Sequence, residues 1–267
     1  MTSQASSRRP SGHPMMVHLR VMRALFRREM LTRFGRTPGG YLWAILEPLS
    51  FILVLTGVFS LMAHMPPLGS SFVLFFATGY MAFTFYKATA DFGSAGVQFN
   101  KALLNYPAVT PFDTVTARVI LQFLTNYMVS ILLFGGIFLF TDTPINLNVP
   151  LIFIATAGAT LLAFGMAALN AVLFMRYPVY ERVFGIVNRP LFLISGVFFL
   201  PEAMPTIIQD LLFFNPIAHY ICLFRMGFYP EYQSTFLSIG YVWFWSIGLA
   251  FLGLAALTAN RGAMAEN

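Results

Sequence analysis

Long apolar stretches separated by short polar connections make up most of this chain. A helix needs about 20 mostly apolar residues to cross the hydrocarbon core of a bilayer. Six stretches meet this requirement: 42–63, 72–90, 114–140, 151–175, 183–200 and 236–258. The pattern predicts an all-α integral membrane protein whose six transmembrane helices form one domain over residues 42–258.

A different pattern precedes the first predicted span, in the segment MMVHLRVMRALFRREMLTRFGR. Apolar residues alternate there with arginines at helical spacing, which predicts an amphipathic helix over residues 15–37. Basic amphipathic helices lie in the membrane interface, with their apolar face toward lipid. We therefore expect an interfacial helix, preceded by a disordered cytoplasmic tail at residues 1–14 and followed by a break at Pro38 and two glycines.

The segment before the last predicted span, residues 201–229, fits neither a span nor a solvated loop. It is too apolar for a loop, yet it contains Asp210, Arg225 and a break at Asn215-Pro216. Irregular backbone at membrane depth is tolerated where protein or a water-filled cavity covers it. Two short helices that re-enter the membrane from outside are predicted here. A seventh span is the alternative, and it would place the C-terminus outside.

Composition supports a membrane protein, since 58% of the 267 residues are hydrophobic and only 10% are charged. Soluble domains carry about 25% charged residues, so this chain could not cover a water-facing surface. Residues 1–41 hold eight arginines and one acidic residue, whereas the connections 64–71 and 141–150 have no lysine or arginine. By the positive-inside rule both termini, including the tail at 259–267, are predicted to be cytoplasmic. The basic arm indicates contact with membrane lipids and not with nucleic acid.

The sequence has none of the motifs that would make this chain an enzyme. The only lysines are Lys87 and Lys101, and neither follows a glycine, so no Walker A phosphate loop is present. Metalloprotease, serine hydrolase and paired-aspartate motifs are also absent from the sequence, and the single cysteine, Cys222, excludes a cysteine metal site. We predict a non-catalytic transport subunit with no metal and no cofactor of its own, energised by a partner.

Four charged residues are predicted at a similar depth near the cytoplasmic ends of the spans, namely Glu47, Lys87, Arg118 and Arg189. Ionisable groups within spans are costly and usually face one another or a water-filled route. In one interpretation Glu47 pairs with Arg118 or Lys87 and locks helix packing. In the other, three cations and one anion line a net-positive vestibule that admits an anionic or polyhydroxylated substrate. Both interpretations can hold for different members of the set.

At several points the sequence resembles the transmembrane subunits of type-2 ABC exporters, in particular the capsular polysaccharide permeases of the KpsM and BexB type. The segments that carry the resemblance are GGYLWAILEPL, PPLGSSFVLFFATGYMAF, NKALLNYPAVTPFDTVTARVIL and NPIAHYICLFRMGFYPEY, together with the basic helix. They occur in order and cover nearly the whole chain. Each motif is short, but their order and spacing together are specific.

The resemblance implies a homodimer in a bacterial inner membrane that carries two copies of a separate ABC ATPase, which would bind ATP and magnesium. Such a complex would export a lipid-linked capsular polysaccharide through a channel at the dimer interface. The polymer would continue through a periplasmic co-polymerase-type partner and an outer-membrane channel. The interfacial helix would frame the substrate entrance, and the re-entrant helices would close the channel toward the periplasm.

The resemblance also implies a contact with the ATPase between the second and third spans. The segment VQFNKALLNYPAV resembles the short coupling helix that sits in a cleft of the ATPase, at about residues 95–108. The residues that would make these contacts are Asn100, Lys101, Leu103, Leu104 and Tyr106. An ordinary cytoplasmic linker is the alternative, although the segment is rather apolar for one.

Aromatic residues are the remaining candidates for the substrate route, because sugar rings stack on aromatic faces. The candidates are Tyr41 and Trp43 near the entrance, Tyr80, Phe83 and Tyr86 in the second span, and Tyr220 and Phe224 near the exit. For each of them, contact with lipid or with another helix is the alternative.

Other transport functions remain open from the sequence. Relatives of this type export O-antigen, teichoic acid or lipo-oligosaccharide, and more distant ones export drugs. A drug exporter tends to need a wide apolar pocket without a cationic entrance. A gradient-driven transporter needs titratable residues near mid-membrane, and a membrane-embedded glycosyltransferase needs paired carboxylates. The sequence places neither of these sets, which favours polysaccharide export.

Overall fold

The computed structural model describes residues 14–34, 39–106, 108–141 and 146–266, and every regular element in these ranges is helical. The helices are α1 Pro14–Phe34, α2 Gly40–Met62, α3 Phe72–Ser94, α4 Gly96–Phe99, α5 Lys101–Leu104, α6 Pro111–Phe140, α7 Val149–Arg176, α8 Pro178–Leu191, α9 Thr206–Phe213, α10 Pro216–Met226, α11 Ile239–Ala259 and α12 Arg261–Glu266. Two short 3-10 turns, Leu193–Ser195 and Pro201–Ala203, lie between α8 and α9. The all-α prediction is confirmed.

Among the described residues, four helices are long and apolar enough to cross a membrane: Leu42–Met62, Pro111–Phe140, Val149–Arg176 and Ile239–Ala259. Helices α9 and α10 would form a fifth span if they are counted together despite the 100° bend between them. Helix α3 has the length of a span but is less apolar, because its second half carries Lys87, Asp91 and several small polar residues. The chain is therefore a multi-pass membrane protein with four or five candidate spans by this measure.

The predicted fifth span at 183–200 is not one continuous helix. Helix α8 ends at Leu191, so it has 14 residues and rises about 21 Å, well short of a bilayer core of about 30 Å. Pro190 removes a backbone hydrogen bond near its end, and Gly196 follows with a φ of 81°. The left-handed conformation at Gly196 turns the chain, which is why the helical pattern does not continue to residue 200.

The break predicted between two short helices at Asn215-Pro216 is confirmed. The side chain of Asn215 accepts a hydrogen bond from the backbone N–H of Ile217 at 3.0 Å and so caps the start of α10. Pro216 occupies the first turn of α10, where the missing N–H of proline costs no helical hydrogen bond.

Helix α7 lies at the centre of the bundle, packed against α3 on one side and α11 on the other. Small residues allow this close packing. A Cβ atom added to Gly165 would lie 2.5 Å from the backbone nitrogen of Ala250 in α11, so the two backbones meet there directly. The contacts of α7 with α3 and α11 are the most extensive helix–helix contacts of the described residues.

A fully buried arginine fixes the irregular segment that replaces the predicted fifth span. Arg225 donates hydrogen bonds to the carbonyl oxygens of Gly196 at 2.7 Å, Val197 at 2.8 Å and Phe199 at 3.1 Å. Its guanidinium also lies 4.2 Å from the ring centroid of Phe75 in α3. Arg225 therefore supplies donors for carbonyl groups that have left the helical hydrogen-bond ladder.

The ends of the chain only partly overlap the described residues. The predicted tail at 1–14 lies outside them except for Pro14, with which α1 begins, and residues 35–37 of the predicted interfacial helix also lie outside. Helix α1 itself is present and packs mainly against α6. The predicted C-terminal tail contains α12, which contacts α5.

Candidate functional site

A cavity of about 500 Å³ lies between α1, α2, α3 and α6, and Phe192 also lines it. We call it the α2–α3–α6 cavity. Four of the residues predicted to contact substrate line it: Glu47, Tyr80, Phe83 and Lys87. Its volume falls within the range of about 300–1,000 Å³ that is typical of small-molecule sites.

Four aromatic rings form one wall of this cavity, with Phe192 in the middle. The ring centroid of Phe192 lies 5.5 Å from that of Phe51, 5.1 Å from that of Phe83 and 6.1 Å from that of Tyr80. Phe51 and Tyr80 are 4.9 Å apart. These tilted and edge-to-face contacts stabilise the rings against one another and fix their positions. We call this set the aromatic wall.

The cavity is also lined by three polar side chains of α6, namely Gln122, Thr125 and Asn126. All three are buried. Gln122 Nε2 donates to Asn126 Oδ1 at 2.7 Å, and Asn126 Nδ2 donates to the carbonyl oxygen of Thr84 at 3.3 Å. We call these three residues the polar wall. Sequence reasoning missed them, although their spacing at i, i+3 and i+4 in an otherwise apolar helix was a usable signal.

Among the described residues the charges that line the cavity balance, unlike those of the predicted net-positive vestibule. Arg33 and Lys87 line it together with Glu47 and Asp91. Lys87 forms an ion pair with Asp91, one turn further along α3. Arg33 donates a hydrogen bond to Gln122 Oε1. Two cations and two carboxylates of the described residues thus line it, so the cavity is suited to a ligand that needs hydrogen bonds more than net charge.

The predicted pairing of Glu47 with Arg118 or Lys87 is wrong for this structure. Lys87 pairs with Asp91, and Arg118 Nε lies 3.0 Å from Glu29 Oε2. Glu47 is exposed and forms no ion pair with any described residue. Glu47 lines the cavity without pairing with Lys87 or Arg118, so residues at the same depth do not necessarily face one another.

Arg118 belongs to a polar cluster, buried except for Arg28, that joins α1 to α6 and to the α4–α5 segment. Asn100 Nδ2 donates to Glu29 Oε1 at 2.7 Å, and Arg28 Nη1 donates to Asn100 Oδ1 at 2.5 Å. Arg118 Nη1 also donates to the carbonyl oxygen of Phe92 at 3.1 Å. We call Arg28, Glu29, Asn100 and Arg118 the Glu29 cluster. Because Glu29 is 6% exposed, its carboxylate holds α1 in place through direct, largely dry contacts.

The remaining predicted substrate residues do not gather at the cavity. Trp43 is 59% exposed and lines a separate, mainly apolar groove that includes Glu47, and Arg189 is exposed on α8. Tyr86 is buried and lines a separate, mainly apolar cavity. Tyr220 and Phe224 lie in the core. The hydroxyl group of Tyr220 forms a hydrogen bond with that of Ser246 at 2.7 Å. The ring of Phe224 packs on aromatic rings of α3 and α6, so neither residue lines a channel in this chain.

Two further predicted sets can be placed only in part. The side chain of Tyr41 lies outside the described residues. In the predicted coupling helix, Lys101 and Tyr106 are exposed and Leu103 is half-buried. Asn100 and Leu104, in contrast, are buried against other parts of the chain. The exposed aromatic side chain next to them, Phe99, was missed by the sequence reasoning.

Among the described residues no cluster of histidine, cysteine or carboxylate side chains could hold a metal ion. The arrangement instead offers aromatic faces, amides and a balanced set of charges around one cavity. Such a lining can bind and orient a polyhydroxylated ligand by stacking and hydrogen bonding.

Comparison with known proteins gives a consistent result. Residues 20–229 match the family described as ABC-2 type transporter. The polysialic acid transport protein KpsM of Escherichia coli is 30% identical over 244 residues, which cover 91% of this chain and 95% of that protein. The capsule polysaccharide export inner-membrane protein BexB of Haemophilus influenzae is 27% identical over 238 residues, covering 88% and 89%. CtrC of Neisseria meningitidis, described in the same words, is 24% identical over 245 residues, covering 91% and 92%. The chain belongs to the ABC-2 type transporter family.

Proposed function

We propose that this chain is the membrane-spanning permease subunit of an ATP-driven exporter of capsular polysaccharide. The observation that carries the proposal is the similarity to polysialic acid transport protein KpsM, which extends through 91% of this chain and 95% of that relative. The α2–α3–α6 cavity supports it, because its lining of aromatic rings, amides and balanced charges is suited to sugars. The chain contributes no catalytic step of its own in this proposal.

The proposed topology has six crossings, with both termini in the cytoplasm of a bacterial inner membrane. The crossings are α2, α3, α6, α7, the broken segment from α8 to residue 200, and α11. The distribution of basic residues supports this orientation, since the connections 64–71 and 141–150 carry none. Helix α1 would lie at the cytoplasmic interface, and α9 and α10 would re-enter the membrane from the periplasmic side.

The proposed complex contains two copies of this chain and two copies of a separate ATPase that holds ATP and magnesium. The exposed side chains of Phe99, Lys101 and Tyr106 support a contact of the α4–α5 segment with that ATPase. Asn100 and Leu104 are buried and would hold the backbone of this surface in place. The lipid-linked polymer would pass between the two copies and continue to periplasmic and outer-membrane partners.

Deletion of the gene in its host tests this proposal. Surface polysaccharide and intracellular lipid-linked polymer are measured in parallel, and the wild-type gene is returned on a plasmid as the control. We expect polymer to disappear from the surface, to accumulate inside the cell and to return with the plasmid. Unchanged capsule would contradict the proposal. A selective loss of O-antigen, teichoic acid or lipo-oligosaccharide, or altered drug sensitivity, would identify another transported substrate.

A further inference from the structure

The α2–α3–α6 cavity has the properties of a ligand site and not of a packing defect. Defects inside a bundle are lined by apolar side chains and stay dry. This cavity is instead lined by three buried polar side chains of a membrane helix, Gln122, Thr125 and Asn126. Polar groups inside membrane helices are costly and mark substrate paths.

The polar wall has hydrogen-bonding capacity that the bonds between described residues do not use. The amide nitrogen of Gln122 carries two hydrogens, and within the described residues one of them is donated, to Asn126 Oδ1. That oxygen has a second lone pair. A ligand hydroxyl can therefore accept from Gln122 and donate to Asn126, since a hydroxyl group acts as donor and acceptor at once.

The aromatic wall supplies the second contact that a sugar ring requires. A pyranose ring has an apolar face made of C–H groups and an edge made of hydroxyls. The rings of Phe51, Tyr80, Phe83 and Phe192 line the same cavity as the amides of Gln122 and Asn126. A sugar ring bound in this cavity would have aromatic surface available for its face and amides for its edge.

One end of the cavity carries an ion pair and is open to the surface. Lys87 and Asp91 are paired, and their side chains are 28% and 49% exposed, so this end of the cavity opens to the surface. An anion would have to compete with Asp91 for Lys87, whereas hydroxyl groups need no net charge. We propose that the α2–α3–α6 cavity binds one sugar ring of the transported polymer inside each copy of the chain. This inference rests on the proposed function.

Two substitutions test the site in complementary ways. Ala88→Leu fills the cavity without removing a polar group, because Ala88 lines it and is half-buried. Asn126→Leu removes the amide and replaces it with a larger apolar side chain. Two matched controls lie in α7 and line none of the cavities described above: Ala157→Leu at a half-buried alanine and Asn170→Leu at a buried asparagine.

The assay is calorimetric binding of short oligosaccharides, cut from the host's own surface polysaccharide, to the complete permease–ATPase complex in lipid nanodiscs. We expect each cavity variant to bind about tenfold more weakly or worse, since the loss of one well-made buried contact has this size. The two control variants should bind like wild type. Recovery of the complex at the wild-type elution volume shows that each variant is folded, and Ala88→Leu remains informative if Asn126→Leu is not recovered.

The outcomes separate this inference from the proposed function. Wild-type affinity in Ala88→Leu, or equal weakening in the controls, would overturn the cavity site. Failure of the wild-type complex to bind the oligosaccharides would overturn it as well, even if the deletion strain loses its capsule. Unchanged capsule in the deletion strain would instead remove the proposed function on which the inference rests.

Discussion

Glu29→Gln should release helix α1 from the bundle. The Glu29 carboxylate lies 3.0 Å from Arg118 Nε and accepts a hydrogen bond from Asn100 at 2.7 Å. The amide in the variant has one oxygen and can replace only one of these acceptors, and it leaves the Arg118 guanidinium buried without a counter-charge. Breaking a buried ion pair in this way costs about 3–5 kcal/mol.

The lower end of this range fits the structure better, because Arg118 keeps the Phe92 carbonyl oxygen at 3.1 Å and two aromatic rings. A cost of about 3 kcal/mol corresponds to roughly a hundredfold rise in the population with α1 detached. Limited trypsin digestion of the purified protein measures this population, since α1 carries arginines and cleavage requires local opening. We expect cleavage within residues 20–33 to accelerate by about two orders of magnitude.

Two comparisons show whether the buried charge is the cause. The double variant Glu29→Gln with Arg118→Met removes both charges, so it should recover most of the resistance to trypsin. Glu181→Gln changes an exposed carboxylate of α8 and should have no effect. Wild-type cleavage of Glu29→Gln, or a double variant cleaved as fast as the single one, would refute the role of the Glu29 cluster.

Three further predictions concern the core, the α4–α5 segment and the cavity mouth. Arg225→Met should leave three carbonyl groups of the 196–199 turn without donors and lower the free energy of unfolding by more than about 3 kcal/mol. We expect monodisperse protein to be lost on size-exclusion chromatography. A normal yield of monodisperse protein would contradict this prediction. Tyr106→Ala should lower co-purification of the ATPase and keep the permease folded, because Tyr106 is exposed. Leu104→Asp should instead destabilise the permease itself, because it buries a charge. Equal effects of the two variants on thermal unfolding of the permease would contradict the assigned surface. Glu47→Gln should leave the melting temperature within about 1 °C of wild type, because Glu47 is exposed and forms no ion pair with a described residue. Polymer export should fall in the same variant. A large loss of stability would restore the pairing interpretation.

Hydrophobic length predicted most of the helices because a bilayer imposes a nearly constant apolar length on them. It failed at 183–200, where the composition is apolar but Pro190 and Gly196 turn the chain. The donor that makes this turn possible, Arg225, lies 29 residues from Gly196, and no local pattern connects the two. Tertiary hydrogen bonding, and not propensity, decides the conformation of such a segment.

Depth along a span was a useful but incomplete guide to the site. It correctly brought Glu47 and Lys87 to one cavity, yet it also grouped Arg118 and Arg189 with them. Depth gives no rotation about the helix axis, and so it does not state which way a side chain points. The partner of Arg118, Glu29, is 89 residues away and was read only as one charge in a basic arm.

Reconstituted transport tests the central claim most directly. The permease and its ATPase are placed in liposomes with the ATP sites outward, and lipid-linked polysaccharide from the host is inserted in the outer leaflet. We expect the polymer to become protected from an added polysaccharide-degrading enzyme when ATP is present, and to stay exposed with a non-hydrolysable analogue or with the permease alone. Polymer that remains fully degradable despite ATP hydrolysis would contradict the proposal that this chain moves polysaccharide across the membrane.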